Sequence, residues 1–269
     1  MTHEHINPDR FADSAGVPWE GRHFESNRWA NDDGSADPAL LAAIDGFQAA
    51  LKSGDSAGLA PSPETVIDAL RNARLLIPLI AALGESGEGA HGQTVDKSAD
   101  LSIVSVQTPD GQVGLPVFSC VQTMQAWNKL ARPVPIEATR VALAAASEGN
   151  TRIVLDPGSP SEFVIRRPAI EAIAREVSWI HPAADAVVKR EISIAIDAEP
   201  IVENFAVQNG DPQARLANAE VLVYLKVAAS NSQPTKQDLD AMVSRITKTW
   251  SESEIIAAKV DSLSIKLVG

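Results

Sequence analysis

Cysteine, aromatic side chains, basic charge and long apolar runs are all scarce in this chain. Of its 269 residues one is cysteine, Cys120, and 4% are aromatic. A single cysteine excludes an intrachain disulfide and any structural zinc site built on several thiolates, a pattern that fits a reducing compartment. With so few rings, the core must rest on Ala, Val, Ile and Leu. No stretch approaches the about 18 consecutive apolar residues of a membrane-crossing helix, so no membrane insertion is expected. The opening "MTHEHINPDR" lacks the apolar stretch of a secretory signal, and the expected location is the cytoplasm. Lys and Arg number 23 against 35 Asp and Glu, for a formal net charge of −12. Such a surface repels phosphate backbones, so nucleic acid is not an expected partner. Walker A, dinucleotide-binding glycine and H-E-x-x-H patterns are missing, and no cofactor or metal is expected.

What is present reads as a globular protein, 45% hydrophobic and 22% charged. The length suits one large domain or two small ones. Residues 1–38 stand apart: eight acidic and three basic residues, with Gly, Pro, Asn and Ser throughout and no apolar period. They are expected to form an extended acidic arm. Trp19, Phe24 and Trp29 are its candidate interaction residues, placed to lie along a folded surface or a neighbouring chain. Helix signals begin at "DPALLAAIDGFQAAL", with Asp37 as N-cap and Pro38 at the first helical position. A second helix opens at "SPETVIDALRNAR", capped by Ser62 and presenting Val66, Ile67, Leu70 and Ala73 on one face.

A strand set follows. "RLLIPLIAAL" reads as a buried strand, with Pro78 expected at an edge or bulge because it cannot donate to a ladder. "LSIVSVQTPDGQVGLPVF" reads as a hairpin turning at Asp110-Gly111. A short helix, a Pro-rich bend at "RPVPI" and an Ala-rich helix over 138–147 come next. Strands at "TRIVL" and "SEFVIRR" precede a helix that Pro168 starts. A boundary is expected near "SWIHPAAD". Beyond it, 183–200 fits either an alternating strand or a helix with Val188, Ile192, Ala195 and Ile196 on one face. Helix is preferred, for its length and the proline that ends it. Strands at 201–207 and 219–228, the helix "TKQDLDAMVSRITKTW" and the strand "VDSLSIKLV" complete an α-β-β-α-β order. The predicted class is α+β. A mixed or antiparallel sheet with flanking helices over 39–182 is followed by a small two-layer domain over 183–269.

The pieces "VPWEGRHFESN" (17–27), "DDGSADPAL" (32–40), "VIDALRNARLLIPLIA" (66–81), "VDKSADLSIVSVQTPDGQVGLPVFSC" (95–120), "AWN" (126–128), "RPVPIEATRVALAAASEG" (132–149) and "VLDPGSPSEFVIRRPAI" (154–170) carry a family resemblance. The chain resembles the SseB family of bacterial proteins, named for enhanced serine sensitivity, in its actinobacterial form. The hairpin through "LPVF" and the "DPGSP" turn are the most specific pieces, and the C-terminal part resembles the second domain of these proteins. The resemblance implies fold and family, and brings no established enzymatic activity with it. It also implies a small hydroxyl residue where Cys120 stands, which speaks against a shared thiol chemistry.

Read as residues, Ser119-Cys120-Val121-Gln122 fits a capping box, with Ser119 as N-cap and Cys120 at the first helical position. A helix dipole there would favour a thiolate. The plainer reading is a small residue at a strand-to-helix corner. His91, in a Gly-rich loop, and His181, before Pro182, are weaker candidates for a general base, without a partner in a catalytic pattern. His3 and His5 belong to a terminus expected to be disordered. "VDKSAD" groups Asp96, Lys97 and Asp100, and "DPGSPSE" groups Asp156 and Ser159 with Ser161. Both sets are candidate ligand-binding residues, and both read first as loop and turn. Three readings follow. The favoured one is a non-catalytic interaction or regulatory protein with a protein partner or self-association. The second is a small-molecule-binding protein, amino-acid-related on the strength of the family name. The third is a thiol hydrolase or transferase using Cys120. A ligand binder needs a concave, mostly apolar pocket with a few convergent polar groups; an adaptor needs an exposed patch; a thiol enzyme needs a histidine beside Cys120.

Overall fold

A computed structural model describes residues 29–53, 62–81, 101–147, 149–228 and 234–268. Trp19, Phe24, His91, Asp96, Lys97 and Asp100, with His3 and His5, lie outside the described residues. Residues 34–269 form one compact unit. Of the stretch before it, Trp29 is half-buried and its carbonyl accepts from Asp32 N at 3.0 Å.

The elements in chain order are α1 (Pro38–Ser53), α2 (Pro63–Arg71), β1 (Arg74–Ala81), β2 (Leu101–Ile103), β3 (Val106–Gln107), β4 (Val113–Val117), α3 (Val121–Trp127), β5 (Arg132–Glu137), α4 (Ala138–Ser147), β6 (Arg152–Leu155), β7 (Phe163–Arg166), α5 (Arg167–Ala174), α6 (Ala186–Asp197), β8 (Val202–Asn209), β9 (Val221–Val227), α7 (Lys236–Ser251), α8 (Glu254–Lys259) and β10 (Leu263–Val268). They make three sheets, β2-β1-β5, β3-β4-β6-β7 and β10-β9-β8. Two pairings, β4 with β6 and β9 with β10, are parallel and the rest antiparallel. The fold is α+β, with one antiparallel and two mixed sheets.

One of the expected caps forms, two that were not expected join it, and one does not form. Asp37 Oδ1 accepts from Ala39 N and Leu40 N at 2.9 and 3.1 Å, which starts α1. Thr235 and Asp238 close a reciprocal capping box at α7, and Asp185 caps α6 through Val187 N. Ser62 stands at the N-cap of α2 but its side chain makes no capping bond, because Pro63 already presets the first turn.

Three expectations change. β1 is a central strand, not an edge, although Pro78 lies within it. Leu76 exchanges both backbone hydrogen bonds with Phe118, so Leu76 and Pro78 turn their backbone groups away from β5. Pro78 therefore faces Pro133 as a non-hydrogen-bonded pair, and β2 pairs only from Leu79 onward. "RPVPI" is not a bend but strand β5, its prolines at the positions where no ladder donor is needed. The expected hairpin is split: β3 pairs with β4 around Gly111, whose φ of +79° suits glycine, while β2 pairs with β1 in a different sheet. The segment after α7 also holds a short helix, α8, which the periodicity did not suggest.

Alternation divides the sheets between cores. Leu75 and Ile77 of β1, Ile153 and Leu155 of β6, and Phe163 and Ile165 of β7 point to one cluster with α1, α2, α4 and α5. Leu76 points the opposite way, into a small cluster with Phe118, Met124 and Ala131. Val154 and Val164 meet Leu216 on the far face. Another cluster, from Ala183 to Val260, packs α6, α7 and α8 on β8-β9-β10. The loop after β8 crosses between these groups. Val164 N donates to Ala214 O at 2.7 Å, so this loop straps the edge of β7.

A cleft beside a buried charge network

Arg152 opens β6 and Arg166 closes β7, strands otherwise made of Ile, Val, Leu and Phe. Both are largely buried, 7% and 8% exposed. Burial of a guanidinium demands partners, and three elements supply them. Arg152 donates to both carboxylate oxygens of Asp261, at 2.7 and 3.0 Å, and through Nε to Asp110 at 3.0 Å. Arg166 donates through Nη1 to Asp261 and Ser262, at 3.0 and 3.2 Å, and through Nη2 to Asp211 and the Asn218 carbonyl, at 2.7 and 2.8 Å. Asp211 also accepts from Leu216 N at 2.8 Å and Ala217 N at 3.3 Å. That holds a loop in which Ala214 and Leu216 have φ of +52° and +58°, left-handed values that cost a non-glycine residue about 1 kcal/mol or more.

This loop is one wall of a cleft of about 340 Å³, open solvent at its mouth included. Ile67, Phe163, Ile165 and Ala169 give it an apolar side; Arg166, Trp179, His181, Asn209, Asp211 and Glu220 give it polar groups. Glu220 directly precedes β9 and is 2% exposed. Its Oε2 accepts from Asp261 N at 2.7 Å, and among the described residues Oε1 has no partner. Burial pushes its carboxyl up to about 7. His181 Nδ1 accepts from Ala183 N at 3.1 Å, so the proton of the neutral ring sits on Nε2. Burial holds its pKa down at about 4, against the opposing pull of Glu64. His181 N donates to Glu64 Oε1 at 2.8 Å, while Glu64 Oε2 and the Trp179 indole nitrogen are shielded without partners.

The other candidates fall elsewhere. Asp156 is fully buried and accepts from Ser119 N and Oγ, Thr123 Oγ1 and Ser161 Oγ, at 2.7–2.9 Å. Ser159 Oγ lies 2.8 Å from Ser161 Oγ. Together they knot the turn after β6 to the start of α3. The capping box at 119–122 does not form, because Ser119 is drawn to Asp156; Cys120 is the N-cap, with no side-chain capping bond. Cys120 is half-buried and its Sγ lies 3.5 Å from Thr123 Oγ1, a hydroxyl itself engaged by Asp156. His181 contacts Trp179 and Ala183. Of the cleft's polar groups the sequence singled out only His181. The missed signal was a set of lone charges beside apolar strands: Arg152, Arg166, Glu220.

Residues 48–172 match the family model described as the SseB protein N-terminal domain. Over these residues the chain carries an SseB N-terminal domain. The SseB match takes in α2 through β7 and most of α5. Asp156 and both arginines fall inside it; His181, Asp211, Glu220 and Asp261 fall outside. None of the curated proteins and none of the solved structures matches the chain. Among the described residues, no helix is long and apolar enough to cross a membrane.

Proposed function

We propose that this protein is a non-catalytic regulatory protein of the cytoplasm that binds a small polar molecule in the cleft between α2, β7 and the 209–220 loop. The observation that carries this reading is the cleft itself: an apolar wall facing a buried carboxyl with a free oxygen and an imidazole with a free N–H. That is the composition of small-molecule sites. It moves the small-molecule reading ahead of the protein partner favoured from the sequence. Large apolar side chains are also exposed, among them Leu130, Leu143 and Leu267, and Val187 with Ile194 seven residues on along α6. Cys120 is read as a corner residue, and Asp156 with Ser159 as a structural knot.

A fragment screen on the full chain, followed by two-dimensional NMR, tests the reading. Hits are expected to shift the Trp179 indole, His181 ring and Asn209 side-chain resonances together. Hits that leave those resonances still and move another region overturn it.

A further inference from the structure

We infer that the molecule bound in the cleft is a small organic ammonium compound that donates to Glu220 Oε1. This names the ligand class for the reading above and rests on it.

The argument is one of unpaired charge. Glu220 is buried and lines the cleft, and Oε2 is spent on the Asp261 amide while no described residue bonds Oε1. A carboxylate so placed needs a cation or several donors. The nearby cations are already engaged. Arg152 gives its donors to Asp110, Asp261 and the Thr151 carbonyl. Arg166 gives its own to Asp211, Asp261, Ser262 and the Asn218 carbonyl. These two guanidinium groups already face three aspartates, so with Glu220 ionised the network has an excess of two negative charges. Among the described residues, nothing positive faces Glu220 from the other walls of the cleft either. His181 is held neutral, and Glu64, beside it, is acidic. The missing partner is a cation that arrives with the ligand. Its carbon body has the wall of Ile67, Phe163 and Ile165 to rest on.

Binding is then linked to protons. The ammonium pairs with the ionised carboxylate, and in the empty protein that carboxyl is poised at about 7. A ligand whose amine stays protonated from pH 6 to pH 8 therefore binds about tenfold more weakly at pH 6, where about a tenth of Glu220 is ionised. His181, poised at about 4, stays neutral throughout this window.

The test uses three probes of matched size on the full chain: n-propylammonium, 1-propanol and propionate, titrated by NMR at pH 6 and pH 8. Propylammonium is expected to shift the Trp179 and His181 resonances, with affinity about tenfold higher at pH 8. Glu220→Gln, which keeps the acceptor for the Asp261 amide, is expected to abolish that binding. If propionate or propanol moves the same resonances and propylammonium does not, the ligand class is wrong and the cleft reading stands. Propylammonium affinity that ignores pH, or survives Glu220→Gln, removes Glu220 from the site. If no probe moves these resonances, both readings fall.

Discussion

Asp156 and Glu220 are both buried carboxylates, and their surroundings set opposite roles. Asp156 has φ of +48°, a value aspartate tolerates, and four protein donors around it. Asp156→Ala would strand those donors, at about 3 kcal/mol or more. Asp156→Asn keeps one acceptor and lets the hydroxyls turn, so denaturant midpoints should place it between Ala and wild type. Cys120→Ser, at a half-buried corner with one weak contact, is expected to change stability by less than about 1 kcal/mol. Glu220 is the reverse case. Its folded pKa of about 7 lies above the ordinary 4.5, so its stability contribution is fully present below pH 4.5 and is lost as pH rises through 7. The loss is about 3 kcal/mol at about 1.4 per pKa unit. Glu220→Gln escapes it, and its melting temperature should exceed that of wild type at pH 8 but not at pH 5. His181 acts with the opposite sign: its folded pKa lies below 6.5, so stability is lost as pH falls through about 4.

At the scale of elements, β5 shows how proline serves a strand. Pro133 and Pro135 occupy the non-hydrogen-bonded positions against β1, so their backbone groups face the outer edge, where neither has an N–H to offer. That edge cannot template another strand. Replacing both with valine should leave the ladder intact and increase self-association, read by sedimentation velocity; an unchanged monomer fraction would deny the prolines this role. Gly34 guards another junction. Its carbonyl accepts from Val121 N, and a Cβ there would collide with the Val121 side chain. With φ of +78°, Gly34→Ala should cost about 1–3 kcal/mol. Much at this scale was legible in the sequence. Asp37-Pro38 and Thr235 through Asp238 carry their caps within four residues, and the 3.6-residue period of 186–197 decides helix over strand. β5 was not legible, because proline spacing reads as a bend until the partner's register is known. Nor was Ser119, whose local capping pattern loses to a carboxylate 37 residues away.

Across the whole molecule, the cleft and the charge network were invisible in the sequence for the same reason. Arg152 and Asp261 are 109 residues apart, Arg166 and Asp211 are 45 apart, and no local spacing encodes such pairs. The network also crosses the division expected near residue 182, since its arginines lie on β6 and β7 and its aspartates include Asp211 and Asp261. One carboxylate, Asp261, bridges both arginines and donates its amide to Glu220. Residues 39–182 and 183–269 should therefore unfold together. Asp261→Ala leaves two guanidinium groups short of a partner inside the protein, at about 3–5 kcal/mol. Salt should not mimic that loss, because buried pairs are weakly screened. Trp127 packs beside Phe118 in the first part and Trp250 is buried in the second, so each can report on its own half in single-tryptophan variants. The expected result is one coincident urea transition at both positions in the wild type, moved to a lower midpoint at both by Asp261→Ala. Separate transitions in the wild type would make the halves independent, and a shift confined to Trp250 would mean that Asp261 serves the C-terminal half alone.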